Sequence, residues 1–312
     1  MIVSESLRVK PLNGCKRCPD RDVRNQNSDE GICRNNVSDD GLPVRCVGKW
    51  ATEKIHYLVR YFDMFAKGMH KKARIRYVEL CSGPGRCSTR DGKEQDGTAL
   101  AIVNHPSFAF VDDALFVDYN AEAVNSLNAR FRAQGVAPRA RAVLGDYNDP
   151  DSIRRALREK PFKGLTLCLV DPTSCDIPFQ TIEMLSVEAG WKVDFIISFF
   201  LKSDFHRNGV QAALNRCYDS RKKYCDFLGC DDFFDRSDVL ESARNGKHKE
   251  VSEKFLQAYK DSLTRIRKSA QDLVQVGDLY YLLFATEHSR GLDLWMKAKS
   301  RDPYGQSDLP GF

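Results

Sequence analysis

Four acidic residues lie at, or next to, the points where predicted strands end. They are Glu79, Asp118, Asp146 and Asp171. Their spacing could bring their carboxylates together at one ligand site. In doubly wound sheets, ligands lie outside the carboxyl ends of the strands, so we expect these carboxylates to line one ligand site. A carboxylate at Asp118 is placed to accept both hydroxyls of a ribose, and one at Asp146 can accept from an adenine amino group.

A glycine-containing turn follows the first of these strands. Residues 77–86 read YVELCSGPGR, a hydrophobic strand that ends near Glu79, followed by a turn with Gly83 and Gly85. Glycine has no side chain to block a ligand, so the backbone amides of such a turn can approach it closely. We therefore expect Glu79, Gly83 and Gly85 to lie at the same ligand.

Four of the 11 cysteines lie within the first 46 residues and could bind a metal. Cys15 and Cys18 form a C-x-x-C pair, and Cys33 and Cys46 follow at longer spacings among polar residues. Such a stretch cannot fold by burial alone, and four thiolates around zinc would supply the missing stability. We expect a zinc-binding arm. Another metal, an iron–sulfur cluster, and an arm of reduced thiols without metal are the alternatives.

A second group of cysteines, in the segment CYDSRKKYCDFLGC, matches no metal-binding pattern. It consists of Cys217, Cys225 and Cys230. Aromatic residues lie among them, so we expect buried or half-buried thiols. Cys168 falls within an apolar strand and is expected in the core.

The elements that would position the acidic residues alternate between strands and helices. Apolar residues recur at helical spacing over 50–69, with Lys54 on the opposite face of that helix. Strands are predicted over 75–80, 114–120, 140–146, 165–172 and 193–200, and the helices between them over 121–134, 152–159 and 178–189. This alternation predicts an α/β fold with a Rossmann-like, doubly wound, mostly parallel sheet.

The last third of the chain has a different pattern. Residues 202–250 are polar, aromatic and irregular, and we expect them to form an insertion. A helix is predicted over 249–270, an added edge strand over 278–286 and a short helix over 291–299. The expected organisation is a four-cysteine arm, 1–46, followed by one Rossmann-like domain, 47–312.

The composition excludes several classes of protein. The 312 residues carry 48 Lys and Arg against 43 Asp and Glu, a net charge of +5, and 42% of them are hydrophobic. These values exclude a disordered chain, a collagen-like repeat and a coiled coil. No run reaches the roughly 18 apolar residues of a spanning helix, and the first residues lack a signal-peptide core, so we expect a cytoplasmic protein.

Basic residues concentrate in three groups that could contact nucleic acid. They lie within 67–76, 202–223 and 244–268, and aromatic side chains are interleaved with the second group. Basic and aromatic side chains together can bind phosphates and stack on bases. Solvated helix faces are the alternative interpretation.

The glycine turn and the acidic strand ends together resemble the class I S-adenosylmethionine-dependent methyltransferases. E-L-C-S-G-P-G resembles their first motif, and D-P-T-S (171–174) resembles their fourth-strand active-site motif. The resemblance implies S-adenosylmethionine as the cofactor. The implied cofactor-binding residues are Glu79, Gly83, Gly85, Asp118 and Asp146, and the implied catalytic residues are Asp171 and Pro172.

Over residues 47–297 the chain is similar to one family, the three-Cys-motif partner proteins. The similarity combines a Trp-containing helix, V-E-L-C-S-G-P-G-R, L-V-D-P, K-V-D-F-I-I-S and a late Y-Y-L-L-F-A-T-x-H-x-x-G-x-x-x-W that ends at Trp295. The resemblance implies a partner protein that carries three clustered cysteines and is similar to radical S-adenosylmethionine enzymes.

Two departures from the methyltransferase pattern leave the function open. Cys87 stands at the third glycine position and a polar loop, 88–97, precedes the next helix. Thr173 follows Pro172, so the aromatic residue that would stack on a flipped base is missing.

Three functions are consistent with these residues. The first is methyl transfer from S-adenosylmethionine, to nucleic acid or together with the three-Cys-motif partner. The second is a catalytically degenerate methyltransferase fold that serves as a binding or scaffold partner. The third is a nuclease or phosphoryl-transfer enzyme with strand-end carboxylates around magnesium.

Overall fold

The computed structural model describes residues 37–48, 50–89, 93–278 and 280–301 of the chain. Three of the four cysteines predicted to bind zinc, Cys15, Cys18 and Cys33, lie outside these ranges. The zinc site and the domain boundary near residue 46 therefore stay predictions.

Strands and helices alternate through most of the described residues. The strands, in chain order, are β1 (Arg45–Val47), β2 (Ile75–Leu80), β3 (Arg86–Thr89), β4 (Glu94–Asp96), β5 (Asp113–Asp118), β6 (Ala140–Leu144), β7 (Leu165–Val170), β8 (Val193–Phe199), β9 (Ala270–Val276) and β10 (Tyr280–Thr286). The α-helices are α1 (Trp50–Met69), α2 (Thr98–Val103), α3 (Ala121–Ala133), α4 (Pro150–Arg158), α5 (Phe179–Glu188), α6 (His206–Leu214), α7 (Ser220–Leu228), α8 (Ser237–Arg244), α9 (His248–Arg265) and α10 (Ser289–Lys299). None of the helices in the described ranges is long and apolar enough to cross a membrane.

Seven strands form the main sheet, in the order β6-β5-β2-β7-β8-β10-β9. Neighbouring strands pair in parallel except at β10, which is antiparallel to both β8 and β9. The chain runs outward from β2 to β6 and then crosses to β7 on the other side of β2. This arrangement confirms the predicted doubly wound, mostly parallel sheet, and it places the switch point at the carboxyl ends of β2 and β7.

Helices cover both faces of the main sheet because successive strand side chains point to opposite faces. In β2, Ile75 and Tyr77 belong to one buried core together with side chains of α1, α2, α3 and α10. Val78 and Leu80 belong to the other core, which includes side chains of α4, α5 and the helices between residues 206 and 265. All six residues of β2 are buried, so this strand lies at the centre of the molecule.

The late part of the sheet differs from the prediction. The strand predicted at the edge, 278–286, lies inside the sheet as β10, and β9 forms the edge. Strand β9 was not predicted, because Ala270–Val276 mixes polar and apolar residues and is mostly half-buried, so it lacks the apolar run of a central strand. The helix predicted over 249–270 ends at Arg265 as α9.

Residues 202–250 are helical rather than irregular. The helices α6, α7 and α8 pack against α9 around a group of aromatic side chains. Phe205 and Phe255 stack with ring centroids 3.6 Å apart, and Phe227 stacks on Tyr259 at 4.6 Å. The aromatic residues that stood out in this part of the sequence therefore belong to the core on this face of the sheet.

The two ends of the predicted polar loop, at 88–89 and 94–96, belong to a second, smaller sheet. Strands β3 and β4 are antiparallel, and β1 pairs in parallel with β3 to give the order β1-β3-β4. Since β3 begins directly after Gly85, this small sheet adjoins the glycine turn.

Candidate functional site

The glycine turn after β2 has a backbone that suits glycine at two positions. Gly83 and Gly85 have φ angles of +61° and +96°. A Cβ atom on Gly85 would lie 2.7 Å from the Leu127 Cδ1 atom, so a larger residue does not fit. The Gly97 amide donates to the Gly85 carbonyl at 2.7 Å, which ties the end of the β3–β4 hairpin to the turn.

Asp118, at the end of β5, holds the glycine turn in place. The Gly83 amide donates to Asp118 Oδ2 at 2.8 Å, and the Asn120 amide donates to Oδ1 at 2.9 Å. The side chain is buried. Each carboxylate oxygen can accept a second hydrogen bond, so the acid retains acceptor capacity for a ligand hydroxyl.

Asp146, after β6, has a local role in the structure. Its Oδ1 atom accepts from the Asn148 amide at 2.8 Å and from the Asn148 side-chain amide at 3.1 Å, as in an Asx turn. The residue is exposed and does not line the cavity described below. The structure therefore does not bring Asp146 together with the other predicted residues.

Glu79 lies fully buried beneath the turn. The Tyr77 hydroxyl donates to Glu79 Oε2 at 2.7 Å, and the Thr98 hydroxyl donates to Oε1. Burial raises the pKa of Glu79 to about 7, although both hydrogen bonds act to lower it. Because Thr98 lines the cavity, Glu79 is one side chain away from it.

A cavity of about 250 Å³ opens at the switch point, above the carboxyl ends of β2 and β7. The glycine turn lines it, with Asp171 and Pro172 from the loop after β7. Of the predicted site residues, the cavity thus brings together Gly83, Gly85, Asp171 and Pro172, while Glu79 and Asp118 support its walls.

Lys54 also lines this cavity, although the sequence analysis placed it on the solvent face of α1. Its ammonium group forms an ion pair with Asp171 Oδ2, and only 15% of its side chain and 11% of the Asp171 side chain are exposed. The Ser198 hydroxyl donates to Asp171 Oδ1 at 2.6 Å. Both oxygens of the Asp171 carboxylate are therefore held by side chains from other elements.

Aromatic side chains wall the cavity from elements distant in sequence. The rings of Phe200 and Tyr280 stack with centroids 4.7 Å apart, and Trp50 lines the same cavity. They supply aromatic surface beside Asp171 although Thr173 replaces the expected aromatic. The Ser82 hydroxyl also lines the cavity, is buried, and has no hydrogen-bond partner among the described residues.

Arg130, on α3, ties the chain before β1 to the glycine turn. Its guanidinium donates to both Asp40 oxygens, at 2.8 and 2.9 Å, and to the carbonyls of Pro43 and Pro84, at 2.9 and 2.5 Å. The side chain is buried. No local pattern could predict this contact, since Asp40 and Arg130 are 90 residues apart.

The described cysteines do not form a metal site. Cys46 lies in β1 and lines the cavity with Cys81 and Cys87. Within the described ranges no three Cys, His, Asp or Glu side chains are grouped so as to hold a metal ion.

The second cysteine group is partly buried. Cys225 is buried, Cys230 is half-buried and Cys217 is exposed. Burial raises the pKa of Cys225 to about 11, so its thiol is protonated at neutral pH. Cys168 is fully buried, as predicted.

Many of the basic residues noted in the sequence are paired with acids. Arg76 is buried against Asp113, and Lys223 contacts Asp204. The other pairs within the three basic groups are Lys67–Asp63, Arg74–Asp112, Arg216–Asp235, Arg221–Asp235, Lys222–Asp226, Lys247–Glu250, Lys249–Glu253, Lys254–Asp238 and Arg267–Glu287. Contact with nucleic acid stays a prediction.

No protein-family model matches the chain. No curated protein matches it either. The similarity to the three-Cys-motif partner proteins therefore stays a prediction.

Several of the solved structures to which the chain is similar carry the name of a methyltransferase. A putative caffeoyl-CoA O-methyltransferase from Staphylococcus aureus has 11% identity and a TM-score of 0.39, over 88% of this chain and 99% of that one. The magnesium protoporphyrin IX methyltransferase of Synechocystis PCC 6803, with bound SAH, has 10% identity and a TM-score of 0.39, over 77% and 84%.

A putative O-methyltransferase from Nostoc punctiforme PCC 73102 has 11% identity and a TM-score of 0.36, over 74% of this chain. The match spans 56% of that longer protein. Identities and TM-scores this low do not assign an activity or a ligand to this chain, and the fold assignment rests on the strand order.

Proposed function

We propose that the chain is an S-adenosylmethionine-dependent methyltransferase whose acceptor binds beside Asp171. The observation that carries this proposal is the bond between Asp118, at the end of β5, and the Gly83 amide, in the turn after β2. This bond joins two strand ends at the switch point, where ligands of doubly wound sheets bind. The cavity next to it is lined by Asp171 at the end of a third strand.

The residues present suit this cofactor. The turn at Gly83 and Gly85 leaves backbone groups accessible, Asp118 keeps acceptor capacity, and the buried Ser82 hydroxyl lacks a partner among the described residues. We assign the binding of the nucleoside to the glycine turn and Asp118. Glu79, behind Thr98, would favour a positive charge in the cavity. When bound, S-adenosylmethionine would supply an electrophilic methyl group.

The remaining residues of the cavity would position the acceptor. Lys54 and Ser198 fix the Asp171 carboxylate in one orientation, so the acceptor would meet a rigid group. Phe200 and Tyr280 would pack against an apolar or planar part of it. Methyl transfer requires mainly the alignment of donor and acceptor, so the site needs no separate general base.

Calorimetry of the full chain with S-adenosylmethionine, and with its demethylated product, tests this proposal. We expect both to bind, and Asp118→Ala to weaken both by about tenfold or more, or about 1.4 kcal/mol. Lys54→Met should leave cofactor affinity within about threefold and lower the rate of transfer to any acceptor found. Absence of binding by both nucleosides would refute the proposal, as would unchanged affinity of a folded Asp118→Ala variant.

A binding or scaffold function is the second candidate, and one observation favours it. The segment before α1 enters the small sheet through β1 and is held to the glycine turn by Arg130. A partner that binds this segment would therefore contact the turn indirectly. Binding of S-adenosylmethionine without methyl transfer to any acceptor, with or without a partner, would favour this candidate.

Three extensions of the proposal rest on sequence alone: the zinc-binding arm, the three-Cys-motif partner and a nucleic-acid acceptor. Metal analysis should give about one zinc per chain, and Cys15→Ser should lower it. Binding to single- and double-stranded nucleic acid should weaken as salt increases. A metal-free full chain, or no nucleic-acid binding at low salt, would remove the corresponding extension.

A further inference from the structure

A second cavity, of about 420 Å³, lies at the opposite edge of the main sheet. It is bounded by the first residues of β7 and β8, the end of β10, the end of α1 and the start of α10. Its apolar lining comes from Phe65, Met69, Leu165, Trp191 and Leu294. The volume is in the range of small-molecule sites, which are mostly apolar with a few polar groups.

The two acidic residues of this cavity already have partners. Asp194 is half-buried, and its carboxylate accepts from the Tyr61 hydroxyl at 2.7 Å and from the Thr286 hydroxyl. Burial raises the pKa of Asp194. Glu287 forms an ion pair with Arg267. Neither acid is therefore available to neutralise a basic side chain across the cavity.

Three basic residues of the lining have no such partner. Lys72, Lys192 and Arg290 line the cavity, are exposed, and form no ion pair with any other described residue. They come from three separate places: the turn after α1, the position just before β8 and the first turn of α10. The positive end of the α10 dipole adds to their charge at the same place. The rim of the cavity is therefore positive although its interior is apolar.

The backbone beside the cavity is held in an unfavourable conformation. Trp191 has a φ angle of +68°, which is rare for a bulky residue, and Arg267 has +66°. The Lys268 ammonium, which is buried, donates to the Trp191 carbonyl at 2.6 Å, and the Arg267 guanidinium lies 5.9 Å from the Trp191 ring centroid. Such strain persists only where the surroundings enforce it, and it clusters at functional sites.

We propose that this cavity binds a small amphipathic anion, with its apolar body against Trp191 and Leu294 and its anionic group near Lys72, Lys192 and Arg290. This inference does not depend on methyl transfer, because the cavity lies at the other edge of the sheet from Asp171. An aliphatic carboxylate and an aromatic acid share the required chemistry, so the experiment has an arm for each.

The experiment is calorimetry of the full chain with decanoate, with naphthalene-2-sulfonate and with the neutral analogue decanol. We expect at least one of the anions to bind with a stoichiometry of about one, and decanol to bind about tenfold more weakly or worse. The preferred anion identifies the aliphatic or the aromatic class. Absence of binding by both anions, or equal affinity for decanol and decanoate, would overturn the inference.

Substitutions in the cavity lining test whether the anion binds there. The double variant Lys192→Glu with Arg290→Glu should weaken anion binding about tenfold or more, and Leu294→Phe, which fills the cavity without changing charge, should weaken it too. The matched control reverses two exposed charges elsewhere, Arg132→Glu with Arg244→Glu, and should leave affinity unchanged. Equal weakening by the control, or no weakening in either folded cavity variant, would contradict this site. Retained binding of S-adenosylmethionine in these variants would separate this result from the proposed function.

Discussion

The two edges of the main sheet carry opposite kinds of site. At the carboxyl edge, Glu79, Asp118 and Asp171 are buried, and each accepts hydrogen bonds from neighbouring groups. At the amino edge the half-buried acid Asp194 accepts from two hydroxyls, and the cavity is apolar with a basic rim that forms no ion pairs within the described part of the chain. The same parallel strands thus present a polar site at one end and an apolar one at the other.

The difference lies in what holds each site together. Three strand ends and α1 meet at the carboxyl edge, and hydrogen bonds between them fix the glycine turn. The amino edge is instead shaped by packing and by the strained segments at Trp191 and Arg267. We therefore expect substitutions of polar residues to have large effects at the carboxyl edge and smaller effects at the amino edge.

The largest effect is expected for Arg130→Ala. This substitution removes a buried guanidinium that donates to Asp40 and to the carbonyls of Pro43 and Pro84. Asp40 keeps the hydrogen bond from the Leu42 amide, whereas the two carbonyls lose this donor. Asp40 is 32% exposed, so water can replace the guanidinium there, and the cost comes mainly from the two buried carbonyls, at about 1–3 kcal/mol for each group left unsatisfied. Urea unfolding of the full chain measures this loss, and binding of S-adenosylmethionine should weaken in parallel because Pro84 belongs to the glycine turn.

Arg132→Ala is the matched control, because Arg132 lies on the same helix, is exposed and forms no ion pair with another described residue. Its effect on the free energy of unfolding should stay within about 0.5 kcal/mol. An Arg130→Ala variant that loses no more than this control would show that the segment before β1 does not support the carboxyl edge.

The next largest effect is the pH dependence caused by Glu79. Its pKa is raised from 4.5 to about 7, so between these values the native state keeps a proton that the unfolded state has lost. The free energy of unfolding should therefore fall as the pH rises through this window, by about 3 kcal/mol in total. Glu79→Gln cannot ionise and should lack this fall.

The measurement is urea unfolding of the parent chain, Glu79→Gln and the exposed control Glu183→Gln at about pH 5 and about pH 8. The control should follow the parent, and Glu79→Gln should be less sensitive to pH. Parallel pH profiles for all three proteins would show that Glu79 does not titrate in this window. Because a cation in the cavity would favour the ionised acid, binding of S-adenosylmethionine near pH 7 should also release protons.

The sequence predicted the carboxyl edge better than the amino edge, for a physical reason. An apolar strand followed by Glu79 or Asp118 and a glycine turn is a local pattern, so the strand ends and their common edge could be inferred. The position of Lys54 in the site could not be inferred, because amphipathic periodicity assigns this residue to solvent and its partner Asp171 is 117 residues away. α1 extends over the edge of the sheet, and this tertiary placement buries a residue on its polar face.

The cavity at the amino edge had no signal in the sequence. Trp191 and Arg267 take up positive φ angles although neither is glycine, asparagine or aspartate, the residues that mark such positions. The edge strand β9 was missed, so the packing of Lys268 against Trp191 could not be foreseen. Long-range contacts determine the conformation of this region, and local sequence patterns do not reveal such contacts.

The smallest effect is expected for Arg267→Gly at the amino edge. Glycine adopts a φ of +66° without strain, and relief of a left-handed conformation at a residue other than glycine is worth about 1 kcal/mol. The substitution also removes the ion pair with Glu287, in which 57% of the arginine side chain is exposed, and such a pair contributes about 0.5 kcal/mol. It also removes the contact of the guanidinium with the Trp191 ring, which is worth about 0.5 kcal/mol. The gain and the two losses nearly balance, so the free energy of unfolding should stay close to that of the parent.

Arg265→Gly is the control for this substitution, because Arg265 is the last residue of α9 and has ordinary helical geometry. Glycine in a helix costs up to about 1 kcal/mol, so this variant should be less stable than the parent. A smaller loss of stability for Arg267→Gly than for Arg265→Gly would show that the amino edge stores strain at Arg267. If Arg267→Gly destabilises the chain as much as Arg265→Gly, the left-handed segment is not strained. The two edges of the sheet would then differ in the charge of their sites and not in backbone strain.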